Sequence, residues 1–518
     1  MKTYSFLKGA AILTLAGIVS KLLGALYRIP FFRVVGSEGM GLYQMAYPLY
    51  TILLAVSSAG IPVAVSKLVS ENLVYRNFTG IRKTFTVSLI FTGILSGVQS
   101  ILLYKSAGYL ASQIFHVPKA VYSIQAIAPA VFFVGLMSVF RGYFQGFQEM
   151  KPTALSQVLE QFVRVGTVLA GAYVFMPVGI EFASAAATFG AVTGGFGGFL
   201  FLTGLYFFRP YFKITPSDCL GPAKNYFHGV LGVVHRITVL ALPVSLGGLI
   251  LPIMQTLDAV TVPGRLQLAG YTVARSSELY GELTGAAITL INLPTVLTVS
   301  LAASIVPSIS RGLERRCFSD VKRQISASIE ITFLICIPAA VGLIILARPI
   351  CGLLFKCPEA GLPLIFLAPA TVFLGLHQTT TGILQGMGKN FLPVINLVMG
   401  AIVKLILNYT LTAVPQIGIV GAAAGTVAGF LVSSYMNYIF IRSFLGWTAD
   451  YRKVLLKPLF AATIMAVGVY FTFSETTIVL GSGWATVIAV LSGAILYFAV
   501  LAVMGKIHIN RIRGWKYG

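Results

Sequence analysis

Two stretches of this chain spell nearly the same thing. Residues 128–146 read Ala128-Pro129-Ala130, Phe133, Gly135-Leu136, Gly142 and Gln145-Gly146; residues 368–386 read Ala368-Pro369-Ala370, Phe373, Gly375-Leu376, Gly382 and Gln385-Gly386. Nine of the nineteen positions agree without a gap, at a constant offset of 240. Unrelated apolar segments of ordinary composition would share about one or two. The echo continues weakly downstream, where Val163-Arg164 matches Val403-Lys404 at the same offset. Gly135, Gly142 and Gly146 share one helical face, as do Gly375, Gly382 and Gly386. Small residues let helix backbones approach closely in lipid, so a packing stripe is the better reading of both sets.

The rest of the chain shows what medium the repeat is built for. Of 518 residues, 57% are hydrophobic and only 10% charged, with a mean hydropathy of +0.87. Soluble domains carry roughly 25% charged residues. So much apolar surface calls for lipid as the solvent. Fourteen apolar runs are long enough to cross a bilayer, from 9–29 through 42–66, 120–140, 154–175, 237–260, 360–384 and 394–413 to 484–505. The first is read as a retained span: it is too long for a signal-peptide core and carries Lys21.

An even number of crossings puts both termini on one side, and Lys and Arg decide which. Of the 37 Lys and Arg residues, 26 fall in the segments that would then be cytoplasmic and eight in the opposite ones. The remaining three, Lys21, Arg164 and Lys404, fall inside spans. This bias gives the net charge of +22 a topological explanation and removes the case for a nucleic-acid partner. The copies of the repeat lie in spans 4 and 10, six apart, so they run in the same direction and the repeat is parallel. The expected architecture is an all-α polytopic membrane protein of fourteen transmembrane helices. Residues 1–208 form an N-lobe of spans 1–6, 209–236 a cytoplasmic connection, and 237–445 a C-lobe of spans 7–12. Residues 446–518 hold the last two spans and a cytoplasmic C-terminus. In such folds substrate sites lie between the halves.

Charges inside spans need a reason, since each costs roughly 2.5–3.5 kcal/mol at mid-bilayer on insertion scales. The candidates are Lys21 in span 1, Arg28 just after it, Glu160 and Arg164 in span 5, Asp258 in span 7 and Lys404 in span 11. Glu160 and Arg164 are four apart and can pair along one helix. Lys404 has Gly400 where Arg164 has Glu160, so its sequence neighbours imply an unpaired cation. Asp258 could meet Lys21, because each stands in the first span of its lobe. Arg28 and Arg33 could snorkel to headgroups or, with Lys21, grip a pyrophosphate, which cations in a dry site bind strongly. His377 replaces Met137 of the first copy and reads as a packed, hydrogen-bonded side chain. Gly386-Met387-Gly388-Lys389-Asn390 lacks the first glycine and the Ser or Thr of a phosphate loop, so no ATP cassette is expected. The five cysteines form no C-x-x-C pair, and no metal, cofactor or enzymatic centre is expected.

The stretches Ser20-Lys21-Leu22-Leu23-Gly24-Ala25-Leu26-Tyr27-Arg28, Gly39-Met40-Gly41-Leu42-Tyr43-Gln44 and Ala59-Gly60-Ile61-Pro62-Val63-Ala64-Val65-Ser66-Lys67 resemble the stage V sporulation protein B group of polysaccharide exporters. That group belongs to the multidrug/oligosaccharidyl-lipid/polysaccharide (MOP) flippase superfamily and is related to the MurJ flippases. The resemblance spans essentially the whole chain. It implies a MATE- and MurJ-like fold and the movement of an undecaprenyl-pyrophosphate-linked cell-wall precursor, with spore-cortex peptidoglycan as the branch's theme. MurJ proteins carry Ser-Arg-x-x-Gly-x-x-Arg in span 1. Here Ser20-Lys21-Leu22-Leu23-Gly24 matches its first part, Tyr27 takes the place of the second arginine, and Arg28 follows one residue later. The MurJ arginine of span 2 has no counterpart near Ala55 and Val56.

The expected function is therefore a bacterial inner-membrane flippase with both termini cytoplasmic. Lys21, Arg28, Arg164 and Lys404 would contact the headgroup of a lipid-linked oligosaccharide, with Asp258 and Glu160 in gating or charge control. Its partners would be that substrate and cell-wall synthesis enzymes. The alternatives are a multidrug or cation exporter of the same fold, a non-transporting assembly factor and a membrane enzyme of wall synthesis.

Overall fold

A segment surrounded by lipid must satisfy its backbone amides internally, which leaves helices as the way to build these apolar runs. The computed structural model describes residues 2–208, 229–448 and 452–504; the side chains of 2–11, 14, 21, 452 and 453 are outside the described set. The connection expected at 209–236 therefore lies outside the described residues as far as 228. In chain order the helices are α1 (Lys2–Leu26), α2 (Arg28–Ser57), α3 (Ile61–Val74), α4 (Phe78–Tyr109), α5 (Ala120–Gly146), α6 (Lys151–Phe175), α7 (Ile180–Phe208) and α8 (Gly229–Leu268). There follow α9 (Val273–Gly281), α10 (Ile288–Glu314), α11 (Phe318–Ile345), α12 (Ala347–Phe355), α13 (Gly361–Leu367), α14 (Ala370–Gly386), α15 (Phe391–Leu411), α16 (Ile419–Leu445) and α17 (Lys457–Val503).

Among the described residues, eleven segments are long and apolar enough to cross a membrane, and twelve when the bent pair α13–α14 counts as one span. Two of them are far longer than the ~20 residues a crossing needs: Leu15–Val74, of 60 residues, and Val454–Val503, of 50. Each contains a glycine with non-helical backbone, Gly36 at φ 69° and Gly481 at φ 74°, a left-handed conformation that glycine adopts without a Cβ penalty. The expectation of fourteen spans requires each of these segments to cross twice. The expected second span, 42–66, is divided after α2 at Ser58, and α3 restarts at Ile61 with Pro62 in its first turn, where a missing N–H does no harm.

The two copies of the repeat differ in shape. The first runs unbroken through Pro129 within α5, whereas the second breaks between α13 and α14 with a bend of 50°. The break falls at Ala368-Pro369, the counterpart of Ala128-Pro129; Pro363, where the first copy has Ser123, stands in the first turn of α13, whose N–H groups have no partner within the helix.

Contacts divide the chain into two units. The first holds Met1–Gly264 and the short Val273–Gly281, and the second holds Arg265–Thr272 and Glu282–Gly518. Within the first unit, Gly142 of α5 lies so close to α3 that a Cβ would stand 2.8 Å from the Pro62 carbonyl oxygen. Gly146 faces Val69, and Gly135 faces Ser96 of α4. Within the second unit, Gly382 of α14 would meet the Ala302 carbonyl oxygen at 2.7 Å, Gly386 faces Ile309, and Gly375 faces Cys336. Pro62 and Ala302, Val69 and Ile309, and Ser96 and Cys336 are again 240 residues apart. The repeat thus governs the partners as well as the glycines, and the stripe is a packing device. An apolar cluster around Val65, Phe85, Phe140, Tyr143 and Leu202 fills the first unit. Clusters around Ile309, Ile325 and Ile383, and around Ile337, Met465 and Tyr497, fill the second.

Candidate functional site

The α6–α7 hairpin sets the first half of the site. Gly194 of α7 lies against the Glu160 carbonyl and the Arg164 Cβ, and Gly190 against the Arg164 carbonyl. The close crossing fixes the direction in which Glu160 and Arg164 leave α6. As their spacing implies, they pair, with Arg164 Nη2 donating to Glu160 Oε1 at 2.6 Å. The pair is not closed on itself. Arg141, from the repeat segment of α5, donates through Nη2 to Glu160 Oε2 at 2.9 Å and through Nε to Ser156 Oγ at 3.1 Å. Arg164 Nη1 donates to the Tyr47 hydroxyl at 3.0 Å. The Arg164 Nε–H is buried and has no hydrogen-bond partner among the described atoms.

Tyr47 connects this cluster to Arg28. Tyr43, Tyr47 and Tyr50 recur along α2 at helical spacing, Tyr43 stacked on Tyr47 and Tyr47 edge-on to Tyr50. The Tyr43 hydroxyl bonds the Tyr27 hydroxyl at 2.7 Å, and Arg28 hydrogen-bonds Tyr27 with Tyr43 and Tyr47 nearby. Tyr27, standing where the MurJ pattern has arginine, therefore holds Arg28 beside the same tyrosine ladder. Arg28, Arg164 and Glu160 belong to one constellation, to which Arg141 is an addition. Charge counting places Arg141 among the cytoplasmic residues, yet its side chain is 15% exposed.

The other candidates are Lys21, Asp258 and Lys404. The Lys21 side chain is outside the described residues, and with it the expected Asp258–Lys21 pair; the Lys21 backbone lies one turn before Gly24, which packs on Gln161 of α6. Asp258 of α8 is 8% exposed and acts electrostatically on Tyr280. Arg33 is exposed. Lys404, in the second unit, is 7% exposed. Its Cβ lies against Gly429 and its carbonyl against Gly425 of α16, which repeats the setting of Arg164 on α6–α7. Lys404 nonetheless has a polar or electrostatic contact of its own, so it is not the unpaired cation its sequence neighbours imply. His377 is packed as expected, its Nδ1 2.8 Å from Ser433 Oγ and near Asn437. The second unit also holds an apolar cavity of about 660 Å³, lined by residues including Leu293, Leu297, Ile335, Leu343, Val490 and Phe498 of α10, α11 and α17. Away from these groups, the Lys119 ammonium hydrogen-bonds Glu38 at 2.9 Å, which holds it above the usual lysine range.

A family profile described as polysaccharide biosynthesis protein matches residues 6–313, and one described as MatE matches residues 283–410. Stage V sporulation protein B of Bacillus subtilis (strain 168) is 29% identical over 99% of this chain and 98% of its own. Lipid II flippase MurJ of the same organism is 29% identical over 87% of this chain and 84% of its own. Among solved structures, the inward closed conformation of lipid II flippase MurJ aligns with a TM-score of 0.68 at 15% identity, covering 95% of this chain and 98% of that one. An inward-facing MATE-family multidrug resistance transporter of the MOP superfamily aligns with a TM-score of 0.68 at 18% identity, covering 85% and 98%. The MurJ relatives are named as flippases and the MATE protein as a transporter. With described residues that are helical and share this fold, and a family match over more than half its length, the chain is a multi-pass membrane protein that belongs to the polysaccharide biosynthesis protein family.

Proposed function

We propose that this protein is a flippase that moves an undecaprenyl-pyrophosphate-linked cell-wall or polysaccharide precursor, of the lipid II kind, across the bacterial cytoplasmic membrane by alternating access. The observation that carries this reading is a charge imbalance. Two arginines, Arg141 and Arg164, share one carboxylate, Glu160, and Tyr47 links them to a tyrosine ladder beside a third, Arg28. Guanidinium groups in surroundings of low dielectric suit phosphate oxygens. An exporter of organic cations would need the opposite balance. The relatives named as a lipid II flippase and a stage V sporulation protein support a cell-wall precursor as cargo; the spore cortex is the setting proposed for it. The apolar cavity of the second unit suits hydrocarbon.

In this reading Arg28, Arg164, Lys404 and Lys21 contact the headgroup, while Glu160 and Asp258 set charge state and gating. The lobes follow the repeat, 1–208 and 237–445, joined by 209–236, with 446–518 appended and both termini cytoplasmic. The test is leaflet accessibility of lipid II in cells where this protein replaces the resident flippase. Arg164→Ala, at unchanged membrane abundance, should lower flipping more than about tenfold, since truncating one partner of a buried charge pair costs about 2–5 kcal/mol. Normal flipping by Arg164→Ala and Arg28→Ala removes the site assignment. Failure of the unaltered protein to move any polyprenyl-linked sugar favours the exporter or assembly-factor reading.

A further inference from the structure

We infer that Glu160 is a tethered stand-in for the cargo's phosphate: its carboxylate closes the Arg141–Arg164 clamp while the site is empty and gives way when a diphosphate enters. The inference rests on the function proposed above and adds a mechanism of capture and release.

The geometry is that of an anion held between two cations. Glu160 gives one oxygen to Arg141 of α5, at 2.9 Å, and the other to Arg164 of α6, at 2.6 Å. Each arginine also has an anchor that does not depend on Glu160. Arg141 Nε is held by Ser156 at 3.1 Å and Arg164 Nη1 by Tyr47 at 3.0 Å. The clamp can therefore keep its shape when the carboxylate leaves. It is also under-filled. One negative charge faces two positive ones, and the buried Nε–H of Arg164 has no hydrogen-bond partner among the described atoms. A carboxylate offers two oxygens, whereas a diphosphate offers more acceptors and at least one more charge, and guanidinium forks take such oxygens in pairs. The side chains of Arg141, Glu160 and Arg164 keep 15%, 14% and 10% of their surface accessible, so the clamp is not fully enclosed by the chain.

Two buried guanidiniums without a counter-ion are costly. With Glu160 returning as cargo departs, the clamp never has to stand empty. The same carboxylate competes with the cargo at every moment, which keeps binding loose enough for release. A static structural triad would share the distances but not the competition.

The two ideas make opposite predictions for one measurement, the affinity of the purified full-length protein for inorganic pyrophosphate. Removing a competitor tightens binding. Glu160→Gln should bind pyrophosphate about tenfold more tightly than the unaltered protein, a change of about 1.4 kcal/mol. Glu160→Asp keeps the charge but shortens the reach to both arginines; it should tighten binding less, and it covers the case in which the glutamine variant does not fold. Glu38→Gln removes a negative charge from the Lys119 pair, away from the clamp, and should leave the affinity unchanged. Equal or weaker binding in whichever Glu160 variant folds overturns the stand-in role while leaving the proposed function in place, as does equal tightening by Glu38→Gln. Absence of pyrophosphate binding in the unaltered protein and every variant overturns the proposed function itself.

Discussion

Tyr47 is the hinge pin of the charged cluster. Its hydroxyl accepts a hydrogen bond from Arg164 at 3.0 Å while its ring lies against Tyr43 and Tyr50. Tyr47→Phe keeps the ring and strands one guanidinium N–H. A buried donor left unsatisfied costs about 1–3 kcal/mol. The expected outcome is a loss of stability in that range, read by unfolding of the detergent-purified protein, with the helical content of the folded state unchanged. An undiminished stability would show that water takes over the donor. The sequence carries part of this arrangement in plain view. Glu160 and Arg164 are one turn apart, and Tyr43, Tyr47 and Tyr50 mark one face of a helix. Arg141 is harder to find, because it comes at the end of an apolar run, where a basic residue is most often a topology signal. Its partner, Glu160, lies 19 residues further on, in the next helix. Proximity of that kind follows from the α5–α6 geometry and from no local pattern.

At the scale of elements, the repeat is legible because packing in lipid depends on small residues at fixed intervals. Gly142 faces Pro62 and Gly382 faces Ala302 in corresponding ways, so the two positions should respond alike. Gly142→Ala and Gly382→Ala should each destabilise the protein by about 1–3 kcal/mol, the usual penalty for overpacking a tight contact. Around Gly166 of α6, by contrast, an added methyl would meet nothing within 4 Å, and Gly166→Ala should be neutral or slightly stabilising, since alanine is the better helix former. Thermal unfolding of the three variants side by side checks this; a sharp difference between the first two would show that the repeat does not extend to energetics. The 50° bend in the second copy is not legible from the shared Ala-Pro-Ala, which leaves the first copy unbroken. Pro129 sits inside the unbroken α5, while its counterpart Pro369 stands at the break between α13 and α14.

At the scale of the whole molecule, composition gives the membrane without any structural detail, and charge asymmetry gives an expected polarity, because the bilayer acts on every segment alike. The polarity has a direct check. Cys317 is exposed in the turn between α10 and α11, on the side expected to be cytoplasmic. In a background with Cys219→Ser and Cys357→Ser, a membrane-impermeant maleimide should label Cys317 in inside-out vesicles and not in intact cells. Labelling in intact cells would invert the assigned orientation. What the chain alone does not convey is the partnership of isolated charges. Lys404 looks solitary beside Gly400, yet it has a contact within the fold.

The near-touching backbones of α6 with α7 and of α15 with α16 have a mechanical consequence. Where Gly429 lies 2.8 Å, by its missing methyl, from the Gly400 carbonyl, neither helix can slide or roll without driving one peptide group into another. Each hairpin must travel as a stiff strut, and Arg164 on one strut and Lys404 on the other ride with it, so any stroke that shifts these cations has to be taken up at the joints and not along the rods.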